Sequence, residues 1–443
     1  MRRVHSGAAG VQPLLRRVGT LVVVTGIVER YLSLGLATGR HLPGLVDAYY
    51  GPPSLAERAA AEPPRRPAAL LVEARSLLAA LAAGEPLGVV EAAGERPGDS
   101  PDEPASRRRW LHAQLVGVAT TLRRLAGEPV GYAEEVEACY GVRPARVPVE
   151  RFLEAHRTLE EAVPGTGPLP ERLVAWREAQ AIPADRLERV IASLAEDLRA
   201  RTDALCGLPD GEAIEVDLVT GQPWSGFNYY LGGCRSRIAV NVDLPVLSTS
   251  IAQLVAHEAY PGHHTEHSRK EVGLVRGRRF HEESLFLVGT PQSLLAEGLA
   301  DLGLEVVVGR RPERFTADHL RPLGIAYDPD VVAAVADAGE ALAGVRANAA
   351  FRLHEDGADP DTVIDEVVRW GLLPRERAAK AVEFLTHPTW RAYLTCYVEG
   401  FPLCRAFTAG DPARFERLLS EQLTPGDLAD QITRDAAAGP TTD

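Results

Sequence analysis

From residue 14 to residue 205 apolar side chains recur every three or four positions, which predicts helices over 14–40, 66–83, 106–127, 150–162, 169–181 and 184–205. Breakers separate them: Gly51-Pro52-Pro53, the Pro- and Gly-rich stretch 84–105, which reads as a mobile loop, and Pro164-Gly165 to Pro168. At Pro209-Asp210-Gly211 the pattern changes. Glu212–Val219, Phe227–Leu231 and Arg237–Val242 alternate or run apolar with glycines between them, predicting a three-stranded antiparallel sheet. Pro245 ends the last strand, Ser248 or Thr249 is placed to cap a helix, and Ile251, Leu254 and Val255 lead at helical spacing into His257-Glu258. Beyond residue 290 helices return over 291–308, 330–355, 360–370, 374–385 and 388–408. The expected architecture is mainly α, a large helical body with a small antiparallel β-sheet beside the helix of His257. It divides into an N-terminal helical region, 1–205, and a second region, 206–443, with the sheet and the remaining helices, unless the two form one continuous domain.

Composition narrows the function classes. The 443 residues are 45% hydrophobic and 25% charged, which excludes disorder, collagen and coiled-coil arrays. A net charge of -13 repels nucleic acid and anionic lipid, so neither is an expected partner. The five cysteines are odd in number, scattered and never in a C-x-x-C pair, which leaves no disulfide scaffold and no zinc ribbon. Arg16-Arg17 before the apolar run Leu21–Val28 resembles a short signal peptide, but no small-residue cleavage site follows and helical spacing continues through Glu29-Arg30-Tyr31-Leu32. No stretch approaches the roughly 20 apolar residues of a membrane span, and a cytoplasmic location is expected.

Four of the twelve histidines fall in His257-Glu258-Ala259-Tyr260-Pro261-Gly262-His263-His264-Thr265-Glu266-His267. Neutral imidazole suits zinc, and two histidines with one carboxylate leave the open position that catalytic zinc requires. In the simplest template, H-E-x-x-H, both rings share a helical face and the Glu reaches the water. Here Pro261 occupies the second histidine's position, and the next histidines stand six and seven residues after His257. A regular helix brings the seventh residue within about 20° of the first, favouring His264, whereas a bulge at Pro261-Gly262 swings His263 into place instead. His263-x-x-Glu266-His267 also spells the inverted H-x-x-E-H motif, with Glu266 as base. The bland reading makes the cluster a solvated helical face. For the third ligand the chain offers Glu297, with Asp301 one turn on to orient a histidine, in a helix otherwise apolar on both sides.

At these residues the chain resembles the bacterial family called domain of unknown function 885, marked by a His-Glu-x-Tyr-Pro-Gly-His-His run and a later Glu-Gly-Trp-Ala-like helix. The corresponding residues are His257–His264 and Glu297-Gly298-Leu299-Ala300, with Leu299 in place of the Trp. Asp47-Ala48-Tyr49-Tyr50-Gly51-Pro52, Pro164-Gly165-Thr166-Gly167 and Tyr397-Val398-Glu399-Gly400 extend the likeness over most of the chain, whereas the stretch from Arg346 to Gly357 departs from the family's Arg-rich helix and Asp-x-Gly-x-His run, keeping His354 without the Asp before it. The family is similar to helical zinc peptidases of the gluzincin kind. That comparison matches Gly262-His263 to the Gly-His of an H-E-x-G-H motif and so favours His263. The resemblance implies a zinc-dependent peptidase whose cofactor is Zn2+, held by His257, by His263 or His264, and by Glu297. Glu258 is then the general base. Tyr397 is the oxyanion donor, with His354 and His387 as further candidates. The expected partner is a peptide or small amide, bound along Arg237–Val242 as an exposed edge strand. A non-catalytic zinc-binding scaffold and a zinc hydrolase of other amides or esters are the alternatives.

Overall fold

Apolar residues at helical spacing draw Ile27–Gly39, Pro67–Ala82 and Ala105–Leu125 around a core of Leu32, Leu77, Trp110 and Leu115, in a computed structural model that describes residues 26–88, 105–222 and 224–438. The leader-like run at Arg16-Arg17 and most of the stretch 84–105 lie outside the described residues. A second core collects Val136, Phe152, Leu294, Leu299, Phe407 and Phe415 from helices Tyr132–Tyr140, Val149–Ala162, Pro291–Val308, Phe401–Thr408 and Pro412–Ser420. A third packs Leu194 and Leu198 of helix Ala184–Cys206 against Ile238, Val240, Ile251 and Val255. The fold is mainly α, with small sheets.

Among the described residues there are five strands: β1 Val46–Tyr49, β2 Ala213–Val219, β3 Gly226–Gly232, β4 Arg235–Asn241 and β5 Leu285–Leu287. β1 pairs antiparallel with β5, Val46 opposite Leu287 and Tyr49 opposite Leu285. Leu285 and Leu287 also complete the first core, so segments on both sides of residue 205 share a core and a strand pair.

The three predicted strands form one sheet, but its order is β2-β4-β3. β3 and β4 are an antiparallel hairpin, whereas β2 runs parallel to β4 with Ala213 opposite Arg235. The sheet is therefore mixed. Alternation reveals strands without their order, and the connection between β2 and β3 steps over the end of β4. Asn241 there donates to the Gln222 carbonyl and Asp243 accepts from the Gly221 amide. One expectation falls as a result: Arg237–Val242 belongs largely to the central strand and presents no free edge. The strand beside the His257 helix with one unpaired side is β3, whose Asn228 donates to the Glu258 carbonyl at 2.6 Å.

Helix Ile251–Glu258 begins after Ser250, with no side-chain cap, while Ser248 Oγ is spent on Gln180. The expected helix 388–408 is a run of turns followed by a π-turn, Cys396–Gly400, and helix Phe401–Thr408. Short helices at Pro53–Ala61, Tyr132–Tyr140, Glu313–Leu320 and Pro412–Ser420 escaped the periodicity reading, since two or three turns hold too few apolar repeats, and the longer Pro425–Ala438, which buries only Pro425 and Leu428, escaped it too. All five cysteines are free. No helix among the described residues is long and apolar enough to cross a membrane.

Beneath β5 lies a buried polar seam. Arg107 grips Glu282 with two bonds of 2.6 and 2.8 Å, both side chains almost wholly excluded from water, and Gln422 also donates to Glu282. Next to them the Glu283 carboxyl is pushed up to about 7 by burial, against the pull of Lys270. Replacing Arg107 with Met leaves Glu282 buried and unpaired, at an expected cost of about 3–5 kcal/mol, read from the urea midpoint. Glu283 gives a pH signature. Its carboxyl ionises near 4.5 when unfolded and near 7 when folded, so its contribution is full below pH 4.5 and is lost as pH rises through 7. Glu283→Gln removes this dependence, and its stability relative to wild type is expected to rise between pH 5 and pH 8.

Candidate metal centre

The helix that carries His257 and Glu258 ends at Ala259, and a new one, His263–Lys270, starts four residues later. Pro261 cannot donate to the helical ladder, and Gly262 carries the chain through a space no side chain can share. A Cβ on Gly262 would stand 1.9 Å from the His257 carbonyl oxygen. The Gly262 amide instead bonds the Ala256 carbonyl at 2.9 Å, and the Thr265 hydroxyl closes onto the Ala259 carbonyl. Pro261 itself packs on Gly303 of helix Pro291–Val308, the helix of Glu297.

This turn separates His263 from His264. The His263 ring lies edge-on to His257, centroids 4.6 Å apart, and its Nε2 stands 3.7 Å from Glu297 Oε1. His257 Nε2 lies 3.3 Å from Glu297 Oε2, and Nδ1 is bonded to Asp301 Oδ1 at 2.9 Å. One ligand atom from each of His257, His263 and Glu297 falls within 4.8 Å of the others. His264 points the other way and is fully buried. Its Nε2 bonds Glu212 Oε2 at 2.8 Å and its Nδ1 bonds Ser236 Oγ at 2.9 Å, while Tyr260 and Arg199 also bond Glu212. The regular-helix argument for His264 fails because the helix is not regular.

The inverted motif is not assembled. His267 stacks on Tyr230 at 4.8 Å, its pKa lowered to about 3 by burial, and Glu266 is bonded to Lys270 at 2.7 Å. His354 and His387 are engaged elsewhere. His354 Nε2 bonds the Leu385 carbonyl and the ring stacks on Tyr132. His387 accepts from the Thr389 amide.

Two residues that carried no chemical role in the sequence reading belong to the site. Tyr393 donates its hydroxyl to Glu297 Oε1 at 2.6 Å and lies edge-on to Tyr397, 5.5 Å away. Its one sequence signal is the four-residue spacing of the two tyrosines. Gly298 and Gly400 make this contact possible, since a Cβ on Gly298 would meet the Gly400 carbonyl at 2.3 Å. Asp47, on β1, has its carboxyl pushed up to about 7 by burial and then by Glu297. A four-residue strand gave no periodicity by which to read it, and its one signal was its place at the head of the Asp47–Pro52 run in the family resemblance.

The electrostatics favour a cation. Burial pushes Glu258 up to about 7; His257 opposes, while Glu297, Asp47 and Asp301 add to the rise. Burial works against a charged His257, yet the Asp301 bond and the Glu297 charge overcome it and hold its pKa well above the ordinary value. His263 is driven well below it by burial and by His257, so its imidazole is neutral with a lone pair to give. Glu297 Oε2, buried, has no hydrogen-bond partner. A carboxylate whose orphaned oxygen lies 3.3 Å from one imidazole nitrogen and whose other oxygen lies 3.7 Å from a second is the donor set of an open zinc site, with Asp301 as the carboxylate that orients the histidine. The residues fit the metal.

No family model matches the chain, and no curated protein matches it. Among solved structures it is similar to a candidate lipoprotein from Colwellia psychrerythraea, 13% identical with a TM-score of 0.49, over 82% of this chain and 66% of that one. It is also similar to a candidate lipoprotein of unknown function from Shewanella oneidensis, 13% identical with a TM-score of 0.44, over 86% and 76% of the two chains. Likeness at this level assigns neither family nor activity.

The two neighbouring histidines are expected to separate by experiment. His263→Ala should lose bound zinc by elemental analysis. His264→Ala should keep it while melting at a lower temperature, because Glu212 is left buried with one partner fewer. Asp301→Ala should weaken zinc affinity about 10- to 100-fold.

Proposed function

We propose that the protein is a zinc-dependent peptidase, a relative of the domain of unknown function 885 family and of the gluzincins it resembles. The observation that carries the reading is the convergence of His257, His263 and Glu297, with Glu258 beside them and directed to none of the three as a bonding partner. Zinc held by those three residues supplies Lewis-acid polarisation of a carbonyl and acidification of a water molecule.

The chain's own groups do the rest. Glu258 has no bonded donor on its carboxylate and a proton affinity raised to near neutrality, the poise of a general base that must also return a proton. In this reading it accepts the proton of the attacking water and delivers it to the leaving amine. Asp301 holds Nδ1 of His257 and thereby aims Nε2. Tyr393 fixes Glu297. Tyr397, 38% exposed beside Tyr393, has its hydroxyl kept protonated by burial and by Glu297, which suits it to donate to a developing oxyanion. The peptide backbone can lie along the free side of β3, where Gly226 brings the strand to Glu258, since a Cβ there would stand 3.1 Å from Glu258 Oε1.

Glu258→Gln tests the reading. The variant is expected to hold zinc and fold like wild type while hydrolysing peptides about 100- to 10,000-fold more slowly. The assay is a mixed-peptide digest followed by mass spectrometry, with zinc content measured on the same samples. Activity within about threefold of wild type removes Glu258 as base, and stoichiometric zinc without hydrolysis by wild type leaves a metal-binding scaffold.

A further inference from the structure

β3 is an edge strand, since the order β2-β4-β3 leaves it one neighbour. Which of its backbone groups face the open side follows from the register. The Asn241 amide bonds the Ser225 carbonyl at 2.9 Å, and the pairing continues with Gly226 opposite Val240, Phe227 opposite Ala239 and Asn228 opposite Ile238. Bonded and non-bonded pairs alternate in an antiparallel ladder, so Phe227 and Tyr229 bond β4 while Gly226 and Asn228 turn their N–H and C=O to the open side. The pleat sorts the side chains as well. Positions 226 and 228 face helix Ile251–Glu258, where Asn228 bonds the Glu258 carbonyl and Gly226 lies against Glu258 and Leu254. Phe227 and Tyr229 face the other way, onto the solvent side of the sheet with Arg237 and Asp217.

That side is not polar along β3. The rings of Phe227 and Tyr229 stand 4.7 Å apart, and Trp224 joins them at 5.5 Å from Phe227 and 6.4 Å from Tyr229. All three are only partly buried, and none belongs to a hydrophobic core of the described residues. Arg237 lies over Tyr229 at 4.4 Å and pairs with Asp217, which fixes the ring. An open strand edge is ordinarily guarded by charge or proline. Here three aromatic rings stand beside it.

A chain added to that edge bonds Gly226 and Asn228, and the residue between those bonds stands directly across from Phe227, on the face of the rings. We infer that Trp224, Phe227 and Tyr229 form the specificity surface of the site, which takes extended peptides carrying an aromatic side chain beside the bond presented to Glu258. Continuity fixes the occupant, for the strand that touches Glu258 through Gly226 presents the first ring one residue later. The inference rests on the peptidase reading for the bond that is cut, whereas a preference for an aromatic residue can be measured without hydrolysis.

The test uses the full chain, zinc-loaded, with Glu258→Gln to block turnover. Acetyl-pentaalanine amide and its five single-phenylalanine variants are titrated calorimetrically. Phenylalanine at one position, or at two positions two residues apart, is expected to tighten binding about tenfold, and at the intervening positions to change it less than about twofold. Adding Phe227→Thr keeps a strand-forming residue and is expected to remove the gain, so that phenylalanine and alanine peptides bind alike. Trp224→Ser, in the turn before β3, should lose part of it. A gain equal at every position, a gain that survives both substitutions, or no binding of any peptide overturns the inference. So does a wild-type protein that self-associates in sedimentation runs and is made monomeric by Phe227→Thr, which would give the strand edge to a second copy. Turnover separates the two proposals. Wild type that hydrolyses all six peptides with equal kcat/KM keeps the peptidase and loses the aromatic surface; wild type that hydrolyses none, with a Phe227-dependent preference intact, keeps the surface and loses the peptidase.

Discussion

Two adjacent histidines leave the backbone in opposite directions, and the turn at Pro261-Gly262 is what allows it. His263 goes to Glu297 and His264 goes to Glu212. In a continuous helix, residues one apart diverge by about 100°, and His257 would share its face with a residue three or four positions on. Breaking the helix resets that phase. Gly262 has no room for a side chain against the His257 carbonyl, so the two short helices are held at a fixed offset by backbone contact. The buried His264, Glu212, Tyr260 and Ser236, joined by the half-exposed Arg199, then anchor the second helix to β4 and to helix Ala184–Cys206. The candidate metal centre is in this sense the outward half of a device whose inward half is structural.

The site is in tension without a cation. Burial pushes Asp47 and Glu258 up to about 7, and Glu297 adds to the rise of both. Tyr393 relieves part of this by donating to Glu297, and His257 by sitting between Glu297 and Asp301. A divalent ion bound there would relieve more, and the binding energy gained would be folding energy for the helices that supply the ligands.

How much of this could be read from the chain depends on the range of the signal. Helices long enough to repeat their apolar stripe, such as Pro67–Ala82 or Ala184–Cys206, were visible within a residue or two. So were β2, β3 and β4, but not the short β1 and β5, nor that β2 runs parallel to β4, because alternation carries no information on neighbours. Within the site, His257, Glu258, Glu297 and Asp301 were visible because each pair is local, one turn or less apart. The choice between His263 and His264 could not be made on periodicity, since it turns on a steric contact between Gly262 and a carbonyl; motif resemblance pointed to the residue that faces Glu297, and the helical wheel to the one that faces Glu212. Asp47 and Tyr393 reach the site through tertiary packing alone. His354 shows the converse: a histidine in a suggestive stretch that is satisfied by a backbone carbonyl.

The pairing of β1 with β5 has a consequence for the order in which the molecule can be built. Residues 46–49 find their partners at 285–287, and Leu285 and Leu287 fill the core of helices that begin at residue 27. On a ribosome, the first third of the protein emerges with a groove in its core that stays open until most of the chain has been translated, and loop closure over that distance is slow. The N-terminal helices are thus a receptor for a later part of their own sequence. A nascent chain stalled before residue 285 would present an apolar slot flanked by an unpaired strand, a surface prone to off-pathway association, and filling it with Leu285–Leu287 pairs the strand that carries Asp47 in the same step that completes the core.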